Sequence, residues 1–198
     1  MTERCENPRL VLLFCGKRKS GKDFLTDYLL SAVNSDGNNS AVILRLSGPL
    51  KQCYAENHQL DYSRLLDASD YKEKHRKDMI TWSEKIRNDD PSYFCNKSIE
   101  MFEAEKFPVW IVSDCRRKSD FEFFDSNYAG RVKKIRVKAS EETRHKRGFA
   151  FQAGVDDAES ECGLDDAEVE YDVENNGDCP PEQLLRALLQ SINELTSI

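Results

Sequence analysis

A chain of 198 residues, with 33% charged and 39% hydrophobic residues, is long enough for one domain with a sizeable core and too polar for a bilayer. Its net charge of −7 at pH 7 argues against nucleic acid as a general partner, although its cations are clustered. No apolar run approaches the ~18–20 residues of a membrane span, and residues 1–9 hold no apolar signal core, so the expected setting is the cytosol, with no membrane partner. Seven cysteines (Cys5, Cys15, Cys53, Cys95, Cys115, Cys162, Cys179) are scattered and never spaced C-x-x-C. That pattern fits reduced thiols rather than a disulfide framework or a zinc site. Thr196-Ser197-Ile198 does not match a peroxisomal signal.

The first element is the continuous apolar run Leu10–Cys15, which suits a strand buried on both faces. Gly16-Lys17-Arg18-Lys19-Ser20-Gly21-Lys22-Asp23 follows, and a helix is expected from about Phe24. Strand, glycine loop and helix are the context that the P-loop pattern G-x-x-x-x-G-K-[ST] requires. Glycine lets backbone N–H groups approach phosphate oxygens, the helix start adds unpaired donors, and Lys22 supplies a point charge. Asp23 stands where Ser or Thr normally meets Mg²⁺; a carboxylate can also hold that ion, directly or through water. The plainer alternative, a basic surface turn with two glycines, explains neither flank.

Further along, the pattern predicts a helix with Phe24, Tyr28, Leu25 and Leu29 on one face, ending near the turn at 34–38. A strand Val42–Leu46 runs into Ser47-Gly48-Pro49, a break and helix start. Between Leu50 and Lys106 only helix-like segments appear, with breaks near 59–61 and 89–91, so this stretch reads as a helical insertion. A third strand, Val109–Val112, ends at Ser113-Asp114-Cys115-Arg116-Arg117 and leads into a helix with Phe121, Phe123 and Phe124. A fourth strand covers Val132–Val137, and Ser140 caps a charged helix reaching Gly148. Residues 155–174 contain ten Asp or Glu and no Lys or Arg, which predicts a solvated, mobile stretch. Asp156 and Asp157 are the acids expected to meet the arginines just before them. A short strand near Tyr171–Val173 and a final helix Pro181–Leu195 close the chain.

Alternating strands and helices imply a parallel sheet, whose ligands sit beyond the carboxyl ends of the strands. Those ends are cationic here: the glycine loop, Lys51, Arg116 with Arg117, then Arg144, Lys146 and Arg147. So many cations exceed the need of one triphosphate and suggest a second phosphorylated ligand. In the insertion, Lys72, Lys74, Lys77 and Lys85 read as solvated face charges, whereas strand-end arginines suit bidentate phosphate contact. Asp114, just past a strand, reads either as an acid ordering Mg²⁺ and its waters or as a turn cap. His58, His75 and His145 are isolated and take no role.

Several stretches together resemble the animal-type phosphomevalonate kinases. They are residues 10–14 with the loop 16–24, Leu44–Lys51, Tyr71-Lys72-Glu73 with Arg76–Ile80, Ser113–Arg117, and Gly154–Asp165, the longest match. The resemblance runs from about residue 9 to the last helix, and Asp23 belongs to that family's own pattern. Asn176 departs from it, standing where the family is expected to carry His. The resemblance implies an α/β fold: a parallel-sheet, three-layer α/β/α P-loop kinase core (about 9–50, 107–139 and 167–198), a helical substrate-binding insertion (about 51–106) and a mobile lid (about 140–166). It implies ATP-dependent phosphorylation of (R)-5-phosphomevalonate with Mg²⁺ by a monomer. It places Gly16 to Asp23, Arg144, Arg147, Asn176 and Gln183 at the nucleotide. Arg18, Lys51, Arg76, Arg87, Arg116, Arg117 and Asn175 fall at the acceptor, Lys22, Arg116 and Arg147 in catalysis, and Asp23 or Asp114 at the metal. Such transfer needs no strong general base, because the acceptor phosphate is already ionised near neutral pH. Another small-molecule or nucleoside monophosphate kinase of this fold, and an ATP-binding regulatory protein, remain open alternatives.

Overall fold

The structure, a computed structural model, describes residues 8–35, 37, 39–66 and 70–196. Cys5, positions 36 and 38 of the expected turn, and Ser197-Ile198 lie outside these residues. Five strands, β1 (Leu10–Cys15), β2 (Ala41–Leu44), β3 (Val109–Val112), β4 (Val132–Lys138) and β5 (Tyr171–Glu174), form one parallel sheet in the order β2-β3-β1-β4-β5. β1 is central, pairing Leu12 with Ile111 on one side and with Lys133 on the other.

Alternation along β1 sends Leu10, Leu12 and Phe14 to one face and Val11, Leu13 and Cys15 to the other. The first face packs on α1 (Lys22–Val33) through Leu25 and Leu29, and on α10 (Arg186–Thr196) through Leu188 and Ile192. The second packs on Phe121 and Phe124 of α6 (Lys118–Asn127) and on Cys95 of α5 (Tyr93–Met101). Each fully buried leucine contributes roughly 1.5–3 kcal/mol of transfer free energy, so β1 with its two covers anchors the domain. Trp110 of β3 is fixed in the second face, its indole N–H donating to the carbonyls of Ala104 at 2.7 Å and Phe107 at 3.0 Å.

Between β2 and β3 lie α2 (Ser47–His58), α3 (Tyr62–Leu66), α4 (Asp70–Asp89) and α5, with no strand among the described residues, as the sequence leads one to expect. They share a small core of their own around Tyr54, Leu65 and Met79, with Trp82 packed edge-on to Tyr54 at 5.6 Å. After β4 come two short helical pieces, α7 (Glu141–Lys146) and α8 (Glu159–Cys162). Ser140 accepts from the Thr143 N–H at 3.1 Å, the cap expected at the start of α7.

Three expectations need correction. Phe24 is 59% exposed, because α1 starts at Lys22 and its sheet-facing stripe runs through Lys22, Leu25, Thr26 and Leu29. The second strand stops at Leu44, since Leu46 and Ser47 turn to donate their N–H groups to Asp114 at 2.7 and 3.0 Å. The final helix is two pieces, α9 (Pro181–Leu184) and α10, separated at the buried Leu185.

Candidate active site

The loop between β1 and α1 closes on itself around a lysine. Lys22 is 6% exposed, and its Nζ donates to the carbonyls of Gly16 at 2.5 Å and Lys17 at 3.0 Å. Burial, helped by the Arg116 cation, lowers its pKa to about 7; Glu161, Asp23 and Asp114 pull the other way. Gly16 has φ +134°, and a Cβ there would stand 2.2 Å from the backbone oxygen of Val137 on β4. Only glycine lets the loop leave the sheet this tightly. Lys19, with φ 62°, is the non-glycine residue of the loop held in the left-handed region.

The segment after β4 lies over this loop. Arg147 Nη1 donates to the Ser20 carbonyl at 3.0 Å and Nη2 to Asn175 Oδ1 at 3.3 Å, while Asn175 Nδ2 reaches the same Ser20 carbonyl at 3.0 Å. Arg144 Nε donates to the Arg18 carbonyl at 2.9 Å, its guanidinium 3.9 Å from the centre of the Phe149 ring. Gly21, Phe24, Arg147, Asn175 and residues 177–181 line a cleft of ≈ 700 Å³ beside α1. Asn176 is exposed and accepts from the Ser140 N–H at 2.8 Å, and Gln183 is exposed on α9; neither is among the residues lining that cleft.

The acid-rich stretch departs from expectation. Asp157, Glu159, Asp165, Asp166, Glu168, Glu170, Asp172 and Glu174 are exposed, but Asp156 and Glu161 are buried as ion pairs with side chains 6% and 7% exposed. Asp156 meets Arg18 at 3.0 Å, not the arginines that precede it, and Glu161 meets Arg116 at 2.6 Å. Lys17 pairs with Asp165 at 2.6 Å and also donates to the Glu161 carbonyl. The cations of the glycine loop, with Arg116 beyond β3, supply the charge that draws these acids in.

A second cleft, of ≈ 570 Å³, reaches the start of α1 at Asp23. Asp23, Arg45, Lys51, Lys72, Arg76, Arg87, Arg116 and Arg117 line it together with Leu50, Leu66, Met79, Ile80 and Val155. Asp23, Lys72, Arg76, Asp114 and Arg116 also line a ≈ 630 Å³ cleft with Lys22 and Arg147, so the two spaces meet at the glycine loop. Burial, then Lys72, lowers the Lys51 pKa to about 8, and its ammonium donates to Ser47 Oγ at 3.0 Å.

The family model for phosphomevalonate kinase matches residues 14–130. The phosphomevalonate kinase of Drosophila melanogaster is 41% identical over 165 residues, 82% of this chain and 85% of that one. This chain belongs to the phosphomevalonate kinase family. Like the family it belongs to, it is a phosphotransferase. A solved structure from Chloroflexus aurantiacus shares the fold at TM-score 0.51 and 13% identity, covering 96% of this chain and 98% of that one. A gluconokinase structure from Sinorhizobium meliloti is similar at TM-score 0.48 and 14% identity, covering 97% and 95%.

Within this phosphomevalonate kinase fold, the arginines lining the ≈ 570 Å³ cleft are held differently from one another. Arg117 is ion-paired with Glu84, and burial lowers its pKa. Arg87 is paired with the fully buried Asp120 at 2.8 Å and lies over Phe94, so both wall the cleft from a fixed position. Arg76 is gripped by Glu73 at 2.8 and 2.5 Å. Lys74, Lys77 and Lys85 are exposed as expected, but Lys72 turns into both clefts. Sequence reasoning also passed over Arg45 and Glu161; only the strand-end position of Arg45 carried a signal.

Among the described residues, no group of three His, Cys, Asp or Glu is placed to hold a metal ion alone. Asp23 and Asp114 nevertheless face one cleft with Lys22. One or two carboxylates are what Mg²⁺ needs when phosphates and water complete its shell, so the donor set fits an ion that arrives with nucleotide. Asp114 has a structural duty as well, since both of its oxygens hold the start of α2.

Proposed function

We propose that this chain transfers the γ-phosphoryl group of ATP to (R)-5-phosphomevalonate, giving (R)-5-diphosphomevalonate and ADP in isoprenoid and sterol synthesis. The observation that carries the reading is the ≈ 570 Å³ cleft, where cations share the wall with aliphatic side chains. The acceptor has two anionic groups, a carboxylate and a phosphate, joined by a short branched carbon skeleton. Leu50, Leu66, Met79, Ile80 and Val155 suit that skeleton, while Lys51 and Lys72 on one hand and Arg116 on the other suit its charges. A nucleoside monophosphate would ask for an aromatic or amide-lined base site, and the lining contains neither. The family membership supports the same acceptor.

In this reading residues 51–106 bind the acceptor and residues 140–166 form a lid over a core built from the rest. The base and ribose of ATP take the ≈ 700 Å³ cleft beside Phe24, and the phosphates follow the glycine loop towards Lys22. Asp23 and Asp114 would hold Mg²⁺, which supplies charge neutralisation and order to the phosphates. An ionised oxygen of the acceptor phosphate attacks Pγ in line as the bond to the β,γ-bridging oxygen breaks, and ADP leaves with that electron pair. Lys22, Arg116 and Arg147 stabilise the spreading negative charge, and the lid keeps water from competing. Among the described residues no helix is long and apolar enough to cross a membrane, and the reading is of a cytosolic monomer. The test is a coupled ADP-release assay with ATP and Mg²⁺, comparing 5-phosphomevalonate with mevalonate and nucleoside monophosphates. Turnover is expected with the first alone; equal or faster turnover with a nucleoside monophosphate overturns the assignment.

A further inference from the structure

Two carboxylates of the acid-rich segment are buried on cations of the phosphate site. We infer that Asp156 and Glu161 are positioning residues that fix the guanidinium groups of Arg18 and Arg116 for phosphoryl transfer; the inference rests on the transfer reading above. Both pairs use one guanidinium nitrogen, Nη1. Asp156 brings both oxygens to Nη1 of Arg18 at 3.0 Å, and its Oδ2 is itself fixed by the Gln152 N–H at 2.8 Å. Glu161 divides its oxygens: Oε1 stands 2.6 Å from Arg116 Nη1, an ion pair of charge and contact without hydrogen-bond alignment, and Oε2 accepts from the backbone N–H of Arg18 at 3.2 Å. One carboxylate therefore ties the end of β3 to the glycine loop.

The single-nitrogen geometry separates positioning from mimicry. A carboxylate standing in for phosphate would engage two nitrogens of the fork in parallel. Here Nε and Nη2 of both arginines remain for phosphate oxygens, and both side chains line the ≈ 630 Å³ cleft with Lys22. A buried counter-ion also offsets the repulsion among Arg18, Lys22 and Arg116. Asp165, on Lys17, has no comparable burial, its side chain being 48% exposed, and is left out of the assignment.

The experiment uses the full chain with Glu161→Gln and Asp156→Asn, isosteric changes that remove the charge. Each variant is expected to lower kcat by ~10–100-fold, the scale of a misplaced catalytic group, while changing the Kd for ATP less than about threefold. In an Arg116→Met background, Glu161→Gln is expected to add less than about twofold, because its effect passes through Arg116. Arginine side-chain NMR with a non-hydrolysable ATP analogue bound provides a readout that does not need turnover: the Nε–H signal of Arg116 should be sharp in the wild type and broadened in Glu161→Gln, with Arg18 behaving likewise in Asp156→Asn. A tighter Kd for ATP with undiminished kcat would make the carboxylates competitors and overturn the proposal. Equal losses in both backgrounds, or unchanged Nε–H signals, would reduce them to structural pairs and overturn it too. Inactivity of the wild type towards 5-phosphomevalonate would instead refute the acceptor, with the NMR signals still deciding the positioning.

Discussion

Lys22 offers the most direct test of the phosphate site, because its charge state should change when the site fills. With a pKa of about 7 in the free protein, its amine is largely neutral at pH 8. Phosphate oxygens favour the ammonium, so nucleotide binding should draw in a proton. One unit above the pKa, about nine-tenths of the molecules lack that proton, and one unit below, about one-tenth do. ATP binding should thus take up ~0.9 proton at pH 8 and ~0.1 at pH 6, with the phosphates of ATP themselves ionised at the higher pH. Titration calorimetry at pH 8 in buffers of different ionisation enthalpy measures this number directly. Lys51 belongs to the other cleft and should add uptake only when acceptor binds. The same depressed pKa has a consequence for folding. The unfolded chain holds the proton up to 10.5, the folded one only to about 7, so this group's contribution to stability rises as pH climbs between those values. At or below pH 7 the buried ammonium costs up to ~5 kcal/mol, and Lys22→Met should melt higher than wild type there while losing at least ~10²-fold in kcat. Uptake below ~0.2 proton at pH 8, or undiminished uptake in Lys22→Met, would refute the reasoning.

Arg116→Lys should lose at least ~10-fold in kcat, because an ammonium keeps the charge but not the fork, whereas Lys74→Ala, exposed on α4, should stay near wild type in the same assay. Gly16→Ala should destabilise by more than ~3 kcal/mol in urea unfolding, since its Cβ would meet the Val137 oxygen at 2.2 Å and neither backbone can yield cheaply. Hydrogen exchange across 140–166 should be fast in the free protein and slow most when a non-hydrolysable ATP analogue and 5-phosphomevalonate are both present; Arg147→Met should remove most of that extra protection, and slow exchange without ligands would count against a lid.

The parts of the fold that could be read beforehand share a physical reason. β1 and β3 are covered on both faces, so they appear as unbroken apolar runs, and the glycine loop follows from its place between β1 and α1. Phe24 misled because apolar character alone does not reveal where a helix stripe begins; one residue of offset turned it to the cleft. Glu161 was hidden for another reason. Its partners Arg116 and Arg18 lie 45 and 143 residues away, and no local pattern distinguishes it from eight exposed acids around it. Lys72 likewise shares its helix with lysines that do face water, and only the packing of α4 against α2 and α3 separates it from them.

The two tryptophans divide the molecule into a silent region and a reporting one. Trp110, with its indole locked to two carbonyls inside the sheet, should emit the same light whatever the ligands do. Trp82 sits on α4, the helix that supplies Lys72, Arg76, Met79 and Ile80 to the acceptor cleft, with Tyr54 and His58 beside its ring. The protein therefore carries a built-in optical probe of its helical half: a fluorescence change on filling the acceptor cleft comes from Trp82, while Trp110 sets an internal reference.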